Sequence, residues 1–243
     1  METIICDRSA FLYWRTPPIA RLLASGQEDD SLLGNLLSAA DLTRLRADLQ
    51  AASPLYDRAY GPGGSRAHYG PAGQCLGGST ALLSTEFGGP VDVLSTLPRD
   101  RRPSAIIRPR VWSEALPAGA VCRVDEGVTV FSPVLAVQQL AARTNPVRVA
   151  LLLSELMGTF SVYQPPEPLA VALQGLADAD RLPAYCGWRA ARDNDGRLTG
   201  LWSRPPLLDA AALREHLAHA PSRGEVVPCQ GLASCAGRRG VAF

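Results

Sequence analysis

The sequence predicts an α+β fold: a mixed β-sheet with flanking helices, preceded by a small, mainly helical N-terminal region. Three observations carry this expectation. Apolar residues make up 47% of 243, enough for a proper core and too many for a disordered chain. Short strand-like runs cluster between Val91 and Phe131. A Ser-Pro step at Ser132-Pro133 then turns the last of them into a helix, because Ser can cap an orphan amide and Pro fits the first helical position.

Taken in order, Thr3 to Cys6 reads as a strand, and Asp7 or Ser9 caps a helix over Ala10–Arg15 that stops before Pro17-Pro18. Two helices follow, near Asp30–Ser38 and Ala40–Ala51. The second carries Leu42, Leu45 and Leu49 at helical spacing and Asp41 in its first turn. Residues 53–88 are rich in Gly, Pro, Ser and Tyr and read as a long loop or linker. Strands are expected around Val91–Leu94, at Ala105–Ile107, near Ala120–Val124 and at Val128–Phe131, the last alternating like a half-buried strand.

Beyond Ser132-Pro133, the residues Leu135, Val137, Leu140 and Ala141 form an apolar stripe. Asn145-Pro146 breaks and restarts the helix. Val147–Met157 then reads as largely buried and as ending at Gly158 in a left-handed stop, and a further helix is expected over Leu169–Ala177. The organisation implied is a helical region 1–52, a loop or linker 53–88, an α/β core 89–180, and an irregular region 181–243 whose composition would suit a truncated end.

All 24 basic residues are Arg, against 23 acids, for a net charge of +1. That excludes a globally basic nucleic-acid coat and leaves room for a local patch. No apolar run reaches membrane-spanning length, and the first residues lack the pattern of a secretory leader. Six scattered cysteines therefore read as free thiols of a cytoplasmic protein.

Chemistry-bearing patterns are sparse. His216, His219, Cys229 and Cys235 are zinc-type ligands, but five residues separate the cysteines where zinc knuckles have two to four. The Gly-rich run at Gly61 lacks the Lys-Ser/Thr ending of a phosphate loop. Gly77 to Thr80 is a possible anion nest that ordinary turn chemistry also explains. There is no G-x-S-x-G, and a Cys186–His68 pairing is not decidable from the sequence. Asp193 and Asp195 suggest a metal site, although DNDGRLTG reads better as a hairpin turn. No catalytic residue, metal site or cofactor is therefore assigned.

The remaining candidate is electrostatic. Arg99, Arg101, Arg102, Arg108 and Arg110 fall within twelve residues, and guanidinium groups fork onto phosphates and base edges. These five are the candidate nucleic-acid-binding residues. The bland alternative is a solvated loop of an all-Arg protein.

Three stretches carry a family resemblance: IICDRSAFLYWRTPP, IIRPRVWSEALPAG, and GVTVFSPVLAVQQLA followed by LLLSELMGTFSVY. Together they cover about residues 3–165. They resemble bacterial proteins, found especially in actinobacterial lineages such as the Coriobacteria, that are similar to AbiEi-type antitoxins of abortive-infection systems. In that group a strand leads through a Ser/Thr-Pro step into a helix, and a second helix ends in Glu-Leu-x-Gly-x-aromatic. Those positions are here Ser132, Pro133, Glu155, Leu156, Gly158 and Phe160.

The resemblance implies an antitoxin that also represses transcription of its own operon by binding DNA. Some relatives instead carry a restriction-endonuclease-like domain that cuts DNA with a divalent metal. This chain has no clean helix-turn-helix in its first ninety residues, no Lys, and no Asp followed by Glu-x-Lys. The expectation is thus an antitoxin-like regulatory protein, without catalysis, whose partner is DNA or a cognate toxin and not a membrane. The alternatives are a degenerate or truncated nuclease relative and a protein-interaction module without nucleic acid.

Overall fold

The three residues of the first strand sit at the centre of the larger of two sheets. A computed structural model describes residues 3–24, 31–52, 90–95, 107–112, 115–125, 128–211 and 213–214. Its first sheet comprises β1 (Thr3–Ile5), β2 (Val91–Ser95), β3 (Ile107–Val111), β4 (Val121–Asp125) and β5 (Val128–Phe131), in the order β3-β2-β1-β5-β4. The sheet is mixed. β1 runs antiparallel to β2 and parallel to β5, β2 is parallel to β3, and β4 is antiparallel to β5. The helices are α1 (Asp7–Arg15), α2 (Pro18–Ala24), α3 (Ser31–Leu36), α4 (Ala39–Ala51), α5 (Pro133–Ala141), α6 (Pro146–Met157) and α7 (Glu167–Asp178). A second, antiparallel sheet of β6 (Phe160–Val162), β7 (Arg189–Arg192) and β8 (Leu198–Ser203) has the order β6-β8-β7. The fold is α+β. Among the described residues no helix is long and apolar enough to cross a membrane.

Side-chain caps start α4, α5 and α6. Ser132 Oγ accepts from the amide of Leu135, Asn145 Oδ1 from Arg148 and Ser38 Oγ from Asp41. Pro133 and Pro146 occupy first-turn positions where no amide is needed.

Two apolar cores form. The first joins Ile5, Phe11, Val130, Phe131, Leu135 and Leu156 between the mixed sheet and α1, α5 and α6. The second joins Ile19, Leu23, Leu49, Leu173, Trp188 and Trp202 under the small sheet. Each such side chain contributes about 1.5–3 kcal/mol when withdrawn from water. The first 52 residues are divided between them: β1 and α1 belong to the first core, α2 to α4 to the second.

Several sequence expectations are corrected. Pro17-Pro18 stops α1, but Pro18 also opens α2, which was not expected. No side-chain cap starts α1; its N-cap is Cys6. Of the strand expected over Ala105–Ile107, the first two residues lie outside the described residues. β3 continues from Ile107 through Pro109, which is tolerated because β3 is an edge strand. β5 is buried at Thr129, Val130 and Phe131 in succession, since it lies inside the sheet with helices against it. α6 exposes Val147 and Leu151. Gly158 ends α6 in extended backbone, φ −78°, with no left-handed residue there. Within the region expected to be irregular, β7 and β8 form the hairpin that DNDGRLTG suggested, with a register shift between Ala190 and Arg192.

Candidate functional site

β1 delivers Cys6 and Asp7 to the end of the sheet where β2 begins. Asp7, the first residue of α1, has φ +52°, a left-handed conformation that costs a non-glycine residue about 1–3 kcal/mol. Its amide donates to Gln139 Oε1 of α5 at 2.7 Å. Asp92, second in β2, is held beside it: the Cys6 amide donates to the Asp92 carbonyl at 3.0 Å, and the Asp92 amide donates to Ser9 Oγ at 2.9 Å.

Both side chains are only 3% exposed, and arginines converge on them. Arg110 Nε lies 2.8 Å from Asp92 Oδ1 and 3.0 Å from Asp7 Oδ2, so one guanidinium bridges two carboxylates. Arg143, just beyond α5, donates to Asp7 Oδ2. Arg108 stands directly across from Asp92 in the β2–β3 register, with Nη1 at a looser 3.9 Å. Arg108 and Arg110 share a face of β3 because strand side chains alternate. Burial raises the pKa of Asp92, and Asp7 adds to this; Arg110 and Arg108 oppose it. Burial, reinforced by Asp92 and then Asp7, pushes the Cys6 thiol far above its ordinary range. Cys6 is therefore held as a thiol and is not an activated nucleophile.

Arg108 and Arg110 thus fall in one cluster, and Arg110 is consumed internally. Arg99, Arg101 and Arg102 lie outside the described residues. Sequence reasoning took Asp7 only as a helix cap and passed over Asp92, Gln139 and Arg143. One signal was available: an acid between apolar residues in Val91-Asp92-Val93, where a charge must be paired if buried.

The other patterns resolve as follows. Asp193 is a turn residue, its Oδ1 accepting from the amides of Asp195 at 2.9 Å and Arg197 at 2.8 Å. Cys6, Cys122 and Cys186 are free thiols. His68, Gly61, Gly77 to Thr80, His216, His219, Cys229 and Cys235 lie outside the described residues. Among the described residues no three His, Cys, Asp or Glu side chains are grouped to hold a metal ion.

A second charged cluster links the two sheets. Arg15 grips Glu155 with two bonds of 2.6 Å. Ser161 Oγ donates to the Arg15 carbonyl at 3.2 Å and lies 3.3 Å from Glu155 Oε1. Arg204, 4% exposed, donates to the Glu155 carbonyl and stacks 5.4 Å from the Trp188 ring.

Comparison with known proteins found no matching family model, no matching curated protein and no matching solved structure.

Proposed function

We propose that the chain is a non-catalytic, antitoxin-like regulator whose arginine-bearing sheet end binds an anionic partner, duplex DNA in the first instance. One observation supports this above the rest. Three guanidinium groups, Arg108, Arg110 and Arg143, face two carboxylates, which leaves an excess positive charge. Arg108 and Arg143 keep 45% and 51% of their side chains exposed. Phosphate oxygens take such forked donors well. The segment joining β2 to β3 adds Arg99, Arg101 and Arg102 to the same stretch of chain.

The test is fluorescence anisotropy with a duplex from just upstream of the chain's own gene, a scrambled duplex, and two salt concentrations. The upstream duplex is expected to bind more tightly, and binding to weaken with salt. Arg108→Ala with Arg143→Ala should weaken both duplexes alike and lower the salt slope by about 1–2. Absence of binding, or binding that the double variant leaves unchanged, overturns the reading. A protein-interaction module, such as one holding a cognate toxin, is the second reading, favoured by the apolar side chains left uncovered on α6 and β6.

A further inference from the structure

The small sheet has two edges, and they are guarded differently. β7 carries Arg189 and Arg192 and breaks register between Ala190 and Arg192, the usual protection against added strands. β6 has neither device. Its residues are Phe160, Ser161 and Val162, with Phe160 and Val162 each 51% exposed.

Backbone direction settles which groups face outward. The Arg204 amide donates to the Thr159 carbonyl at 2.7 Å, and the Tyr163 amide donates to the Gly200 carbonyl at 2.8 Å. Ser161 pairs with Trp202 between them. Residues 159, 161 and 163 therefore turn their polar groups toward β8, and Phe160 and Val162 turn theirs toward the open edge.

We propose that this edge pairs with β6 of a second copy of the chain, antiparallel and two-fold about Ser161. In that register Phe160 lies opposite Val162 of the second copy and the reverse, and each is a hydrogen-bonded pair. The two-fold makes the match self-complementary in the side chains as well, with no charge on the strand to repel its own image.

The apolar surface continues past the strand. Leu201 of β8 lies across from Val162 and is 41% exposed. On α6, Val147 and Leu151 are 69% and 65% exposed, and Ser154 and Gly158 extend the same helical row toward β6. A Cβ placed on Gly158 would stand 3.9 Å from the Phe160 ring, so helix row and strand meet. The five apolar side chains expose on the order of 500 Å², a large part of the roughly 800 Å² that each partner gives to a standard interface. The inference is independent of DNA binding.

The experiment is sedimentation of the full chain across a concentration series, with two charge variants. The wild type is expected to dimerise, and Phe160→Glu and Val162→Lys each to be monomeric with unchanged circular dichroism. Mixing the two variants should restore a heterodimer, because the two-fold sets Glu at 160 against Lys at 162 of the other chain. A wild type that stays monomeric up to roughly 100 μM overturns the proposal, as would an unchanged dimer in either variant. A mixture of folded variants that fails to associate overturns the antiparallel register.

Discussion

The two charged clusters of this protein use the same side chains for different ends. At the end of the mixed sheet, Arg108 and Arg143 reach buried acids yet keep about half of their surface in water. Between the sheets, Glu155 is 14% exposed, Arg15 34%, and Arg204 is almost wholly enclosed. Arginine in the first setting holds an acid and still offers donors outward. In the second it is spent on joining α1, α6, β6 and the end of β8. Charge alone does not separate a binding surface from a staple; the share of each guanidinium left in water does.

Removing Glu155 should therefore have the largest effect. Glu155→Ala removes the two bonds that the Arg15 guanidinium makes to it and takes away a neighbour of Ser161. We expect a loss of about 2–3 kcal/mol, below the 3–5 of a fully buried pair because Arg15 reaches water. Arg143→Ala, in the more open cluster, should cost less than about 1 kcal/mol. Urea unfolding of the two variants checks the contrast. Equal losses would mean that the clusters do the same job.

Distant stretches of the chain meet in these clusters. Arg15 pairs with Glu155, and Asp7 pairs with Arg110. Local chemistry was readable: Ser132 as a cap, Asn145-Pro146 as a break and restart, the Leu42-Leu45-Leu49 stripe as buried, and Asp193 as a turn. Each of these acts within a few residues of its own position. Asp7 and Arg110 are about a hundred residues apart and come together only because β1 inserts between β2 and β5. No spacing rule encodes that. The apparent burial of α6 misled for a related reason, since an apolar residue such as Val147 or Leu151 looks the same in sequence whether a core or an open band receives it.

Gly158 sharpens the comparison at an intermediate scale, because it lies between Glu155 and Ser161 of the closed cluster. Its backbone is extended, and a Cβ there would come within 2.8 Å of the Ser154 carbonyl oxygen. Gly158→Ala should cost about 1–2 kcal/mol through crowding against backbone that cannot easily give way. Gly158→Asn should be no better than Ala. Were Asn to rescue stability in thermal melts, a left-handed helix end would be implied instead.

The smallest effect belongs to Asp92, where opposing influences act on one carboxyl. Burial raises its pKa and Asp7 adds to this, against the pull of Arg110 and Arg108. A raised value means that the folded protein keeps the Asp92 proton at a pH where the unfolded chain has released it. Between the ordinary carboxylate value of about 3.9 and that raised value, Asp92 adds stability as the pH falls and loses it as the pH rises. Asp92→Asn keeps an oxygen facing Arg110 and removes the titration. Melting temperatures of both proteins from about pH 4 to 7 should therefore differ by a small curve that falls with rising pH. A difference curve that rises instead would mean that Arg110 outweighs burial. The sheet-end cluster would then be as tightly closed as the one at Glu155, and Arg108 and Arg143 would have less to offer a phosphate.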